Sequence, residues 1–341
     1  MVKYELISFV LSGSKRLKSG KTLSPSSEQS APHYFSSSIP RQSIVDNTST
    51  QIDGQKLDVS VKSYGGSILL IEARLPVDNP FSTETFDLRD KLIDALNAIA
   101  KKQGAIYEFS EEYSIVVISD YESAPEKFLD KSDKIAGFLK SEKIKLDKRE
   151  IEHTLSHQIK YADNDLIIID WDGAFIFEPQ GKAESIIELL QIANLQLLRY
   201  RMLENELSDR LDAITKQVKE PADFWTMLTN RKKIMKSFQD VIAIRAKSIK
   251  DFELIEKEIK LIGDWYFARL YDLVYRKFKL AEWKEDIKEK LDNIEDIYSI
   301  IEDNFSISRN EFLELIQIIL FFFLQLGWFV LIILEFIYFT K

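Results

Sequence analysis

Leu166-Ile-Ile-Ile-Asp170-Trp171-Asp172-Gly173-Ala-Phe-Ile-Phe177 decides the fold. Two runs rich in β-branched and aromatic residues flank a short polar break, the pattern of two strands joined by a tight turn. Asp172-Gly173 supplies that turn, with glycine expected to take the positive φ that hairpin turns need. Just downstream, Pro179-Gln-Gly181 ends the strand pattern, and from there the apolar spacing is helical.

Upstream, Leu57–Val61 alternates as a half-buried strand does, and Ser67–Ala73 follows Gly65-Gly66 as a second strand. Met1–Leu11 is apolar, but Glu5 interrupts it and no small-residue cleavage site follows, so it reads as a strand and not a signal peptide. Phe86, Leu88, Leu92, Ile93, Leu96 and Ile99 fall at helical spacing, with Gly104 closing the helix. Ala105–Phe109 and Tyr113–Ser119 read as a strand pair, and Glu126–Lys140 and Lys148–His157 as helices. Ser12–Gln55 is rich in Ser and poor in large apolar residues, which reads as a loop or linker. Residues 6–27 carry Lys, Arg and Ser without an acid, the composition of a mitochondrial transit peptide. The fold class expected is α+β, with a mixed, largely antiparallel sheet and helices over residues 1–180.

The second half, residues 181–305, reads as an all-helical stalk: a helix from Lys182 to about Lys219 ended by Glu220-Pro221, another over Asp223–Ile262, and a last one starting near Asp264. Ile287, Leu291, Ile294, Tyr298, Ile301 and Phe305 step by alternating fours and threes, the a/d seam of a coiled coil. Such a seam joins copies of the chain or closes an intramolecular helical hairpin; homo-oligomerisation is the expectation taken forward. The same register extends through Phe312, Leu315, Ile319, Phe322 and Leu326, so stalk and final segment can share one face, while the capping-box spacing of Ser308 and Glu311 allows a separate final helix instead.

That final segment, residues 312–339, is the strongest signal in the chain. No charge separates Glu314 from Glu335. The stretch between them, as a helix, matches the roughly 30 Å hydrocarbon thickness of a bilayer. The expected partner is therefore a lipid bilayer, with a single C-terminal span and the preceding body in the cytoplasm, a tail-anchored arrangement. Gln317 and Gln325 lie on one side of the span, where amides in lipid favour contact between helices or line a pore.

Composition narrows the chemistry. The chain has 341 residues, no Cys, three His and a net charge of −9. Thiol chemistry and Cys-ligated metals are excluded, and the acidic balance argues against nucleic acid as a partner. His153 and His157 share a helical face beside Glu150 and Glu152, but Thr154 stands where a zinc peptidase needs Glu, and no third His follows. Asp163, Asp165, Asp170 and Asp172 surround the hairpin and offer oxygen ligands of the kind Mg²⁺ takes, yet Asp-Gly is already explained by the turn. No glycine-rich phosphate loop or nucleophile elbow is present. No catalytic, cofactor-binding or metal residue is assigned, and no cofactor is expected.

The α+β body, the helix Ile186–Leu207, and Ser308-Arg-Asn-Glu-Phe-Leu-Glu-Leu-Ile-Gln-Ile-Ile before a terminal span resemble the "required for meiotic nuclear division" family. The resemblance covers the layout of Asp165–Lys341. It implies a membrane-anchored, self-associating scaffold without enzyme activity, in the mitochondrial inner membrane if the chain is eukaryotic. The plan is also similar to CorA-type magnesium transporters. Those carry two spans and a Gly-Met-Asn signature, whereas Leu326-Gly327-Trp328 is the nearest text here. The expected function is thus a membrane scaffold or signalling protein acting through its helical stalk. The alternatives are a channel or membrane-disrupting effector built on Gln317 and Gln325, and a metal-dependent hydrolase using Asp170 and Asp172 or His153 and His157.

Overall fold

The computed structural model describes residues 1–14, 21–23, 42–65, 67–219, 239, 241–246 and 265–339. Among the described residues nine strands form one sheet: β1 (Lys3–Ser14), β2 (Lys21–Leu23), β3 (Gln42–Ile52), β4 (Gln55–Tyr64), β5 (Ile68–Pro76), β6 (Ala105–Ser119), β7 (Gln158–Ile159), β8 (Leu166–Ile169) and β9 (Gly173–Phe177). Their order is β2-β3-β4-β5-β1-β6-β9-β8-β7. Every pairing is antiparallel except β6 with β9, so the sheet is mixed and largely antiparallel as expected. The helices are α1 (Thr83–Lys102), α2 (Ser132–Leu139), α3 (Lys148–Leu155), α4 (Glu184–Lys219), α5 (Trp265–Lys277) and α6 (Leu280–Phe339), with a 3-10 segment over Pro125–Lys131.

β1 lies at the centre because it is apolar on both sides: Leu6, Ile7, Phe9, Val10 and Leu11 are all fully buried. One face of the sheet carries Leu6, Val10, Ile71, Val116, Ile118, Phe175 and Phe177, and it packs against Phe86, Leu92 and Leu96 of α1 and Ile135 and Phe138 of α2. α1 starts where Ser82 accepts a hydrogen bond from the Thr85 amide at 3.3 Å, which satisfies one of its unpaired N-terminal groups.

The opposite face is bridged to α4 by polar side chains. Gln191 Nε2 donates to Glu72 Oε2 at 2.8 Å, Gln42 Nε2 donates to Glu188 Oε1 at 2.8 Å, and Arg74 holds Glu184 with both terminal nitrogens. Burial pushes the Glu72 carboxyl up, but the charges of Lys62 and Arg74 more than reverse this and hold it below its usual range. Contacts divide the chain into two compact units, Met1–Glu206 with Ile249–Ile287, and Leu207–Ser248 with Lys288–Lys341.

Several expectations need correction. β3 lies inside the stretch read as a Ser-rich linker, and its partner β4 follows across Asp53 and Gly54, both at positive φ (47° and 84°), the signature of a type I′ turn. The two strands expected over residues 105–119 are one continuous strand. Gly173 does not take positive φ; it opens β9, and a Cβ there would meet the Ser114 carbonyl oxygen at 2.6 Å, so glycine is required by close approach of backbone. The helix expected from Asp264 breaks at Phe278-Lys279, where Lys279 adopts φ 50°. The helix expected over Asp223–Ile262 lies outside the described residues apart from 239 and 241–246, which are helical.

Candidate functional site

The tip of the β8–β9 hairpin gathers a set of buried charges. Asp170 is 2% exposed, and its Oδ1 accepts the Trp171 amide at 2.6 Å and Lys277 Nζ at 2.8 Å. Its Oδ2 is buried without a hydrogen-bond partner, 3.7 Å from Lys140 Nζ, which in turn pairs with Glu150 at 2.7 Å. Tyr113 Oη donates toward the carbonyl oxygens of Gly173 (2.8 Å) and Asp170 (3.1 Å). A buried carboxylate is tolerable only with such compensation. The tip is therefore fixed by the ends of α2 and α5. Neither lysine is signalled by a sequence motif; they meet Asp170 only through the tertiary fold.

Asp172 points to a different place. It lines a cavity of about 430 Å³ with Arg89, Asp90, Asp94, Glu112 and Ser141. Burial raises the Asp172 carboxyl above its usual range, against a hydrogen bond from Ser141. Arg89, 4% exposed, spends its guanidinium on the Phe138 carbonyl (2.8 Å), on Asp90 (2.9 Å) and on the ring of Phe138, 5.0 Å away.

On the outer side of the tip, Trp171 is 42% exposed and packs edge-to-face on the buried Phe278 ring, with centroids 5.6 Å apart. Beside it, a concavity of about 440 Å³ is lined by Trp171, Lys279, Glu282, Trp283 and Asp286. No sequence spacing links Trp171 to Lys279, Glu282, Trp283 and Asp286; they join only where α5 turns into α6.

The other flagged residues do not converge. Asp165 accepts the Ala162 amide at 2.6 Å and the Tyr161 amide at 3.0 Å, a loop-closing role; Asp163 contributes its backbone carbonyl to Lys160 at 3.2 Å. The rings of His153 and His157 meet edge-to-face with centroids 5.0 Å apart, and His157 Nδ1 is engaged by the His153 carbonyl at 2.9 Å. Burial, followed by the nearby Lys277 ammonium, lowers the His157 pKa from 6.5. Among the described residues no group of three or more His, Asp or Glu is placed to hold a metal.

In the helical half, Ile287, Leu291, Ile294 and Tyr298 are 0–4% exposed within a single chain. Seam and burial coincide: these side chains are covered within one chain. In the second unit Arg245 pairs with Asp292 at 3.1 Å and also with Glu295. The side chains of Ile301 and Phe305 lie outside the described residues. Leu313–Phe339 is 27 residues of mean hydropathy 2.5, none of its apolar window buried, and so is long and apolar enough to cross a membrane. Gln317 and Gln325 are exposed on it.

An α+β body followed by long helices, the last ending in an uncovered apolar segment, defines the class of protein. Residues 12–184, about half of the chain, match the family described as "Uncharacterized protein MJ0711, N-terminal domain", and the chain belongs to that family. It is also similar to the "Uncharacterized protein MJ0711" of Methanocaldococcus jannaschii, 26% identical over 263 residues that cover 77% of each chain. No solved structure matches it.

Proposed function

We propose that the protein is a membrane-anchored, non-enzymatic scaffold, its last helix inserted in the bilayer and its α+β body on the cytoplasmic side. One observation carries this reading: all 27 residues of Leu313–Phe339 are uncovered by the rest of the chain. A helix of that length rises about 40 Å, enough to span a hydrocarbon core of about 30 Å. Left in water, its leucines, isoleucines and phenylalanines forgo about 25 cal/mol for every Å² of apolar surface that lipid would cover.

Self-association belongs to the same proposal, with its location revised. The seam Ile287–Tyr298 is occupied within one chain, so the surface supporting a second copy is the helix face bearing Gln317 and Gln325, whose amides gain partners across helices in lipid. Alkaline carbonate extraction of membranes from cells expressing the full chain tests the anchor; release of the protein into the aqueous fraction refutes it. Cross-linking in native membranes, lost on combining Gln317→Leu with Gln325→Leu, tests the association. Liposome leakage abolished by the same pair would move the reading to a pore.

A further inference from the structure

We propose that the concavity between Trp171 and the first turns of α6 binds an organic cation through an ammonium group. Its walls are two indoles, two carboxylates and one amine: Trp171, Trp283, Glu282, Asp286 and Lys279 around about 440 Å³, the size of small-ligand pockets. Glu282 and Asp286 stand one helical turn apart, both exposed, and among the described residues neither has an ion-pair partner. Like charges at that spacing repel. Glu282 lies in the first turn and favours the helix start, but Asp286 lies beyond it and gains nothing there. A cation seated between them removes the repulsion, and the two indoles that line the concavity are groups that attract an ammonium. Lys279 offsets one carboxylate and leaves a surplus of one negative charge, so the ligand group carries a single positive charge.

The site is held ready by the fold. Trp171 rests on Phe278, which is fully buried and also meets Tyr113 at 6.0 Å. Residues on either side of these aromatics are tied together by the Lys277–Asp170 pair at 2.8 Å, and Lys279 turns the chain at φ 50° to bring Glu282 and Trp283 alongside. Positions fixed in this way cost little entropy when a ligand binds.

The proposal is tested on the full chain in maltoside micelles, labelled with fluorotryptophan and followed by fluorine NMR, with Trp171→Phe and Trp283→Phe assigning the two resonances. Choline is the probe and 3,3-dimethylbutan-1-ol its neutral isostere. Choline should shift both resonances saturably while the alcohol leaves them in place. Glu282→Gln with Asp286→Asn, both at exposed helix positions, should weaken binding about tenfold, and Lys279→Met should tighten it severalfold. Tighter binding of n-butylammonium than of choline would identify a lysine side chain as the natural source, and the reverse order a free quaternary amine; either order upholds the site. Equal shifts with the alcohol, no shift with either amine, or titrations unchanged by the charge substitutions would overturn it.

Discussion

Lys277 Nζ sits 2.8 Å from Asp170 Oδ1, with the two side chains 10% and 3% exposed, and the pair ties the end of α5 to the tip of a hairpin more than a hundred residues earlier. Removing one member of such a pair strands the other in a poorly solvated site, at a cost of about 3 kcal/mol, while removing both costs less. Asp170→Asn and Lys277→Met should each lower the unfolding midpoint of the sheet unit. Their combination should be less damaging than the sum, with a coupling of about 1–3 kcal/mol. Denaturant titration of the two single variants and the double variant measures it, and strict additivity would show that the contact contributes nothing.

Gly173 and Gly54 look alike in sequence, each following an Asp, yet they constrain the chain differently. A Cβ at Gly173 would press on the Ser114 carbonyl at 2.6 Å, backbone against backbone, at the parallel β6–β9 junction. At Gly54 nothing lies within 4 Å and only the φ of 84° resists substitution. Gly173→Ala should therefore cost about 2–3 kcal/mol through overpacking. Gly54→Ala should cost about 1 kcal/mol through left-handed backbone strain. Thermal unfolding of the two variants ranks them.

The same two glycines mark what the sequence reveals. The hairpin over Leu166–Phe177 is legible because its strands are apolar throughout, as burial on both faces demands. β3 is not legible: Asp46, Asn47, Ser49 and Gln51 hide its period, since it lies near the edge of the sheet and most of its residues are at least partly exposed. The seam at Ile287, Leu291, Ile294 and Tyr298 is legible as buried, but spacing alone does not say whether a second helix of the same chain or of another copy covers it. The break at Lys279 carries neither Gly nor Pro, so the α5–α6 turn, and with it the juxtaposition of Trp171, Glu282 and Trp283, appears only in three dimensions.

His157 gives the protein a pH-dependent element. Burial and the Lys277 ammonium lower its pKa from 6.5 in the folded state, so below about that pH the unfolded chain takes up the proton more readily. The contribution of this histidine to stability is therefore present at neutral pH and is lost as the pH falls through and below 6.5. NMR titration should place the His157 midpoint under 6.5, and Lys277→Met should move it up, since that substitution removes the second cause of the shift. An unchanged midpoint in Lys277→Met would assign the effect to burial alone.

The apolar helix separates depth from composition. Phe322 and Phe323 lie well inside Leu313–Phe339, so arginine at both positions places charge deep in the hydrocarbon, at up to about 2.5–3.5 kcal/mol for each. Leu313 begins the same segment, where an arginine can extend its side chain to the interface and keep its charge in water. If lipid solvates this helix, Phe322→Arg with Phe323→Arg should move the full chain out of the carbonate-resistant membrane fraction while Leu313→Arg stays in it. If the helix instead docks on a soluble protein, the cost has no reason to follow bilayer depth, and equal behaviour of the two variants would reject the anchor.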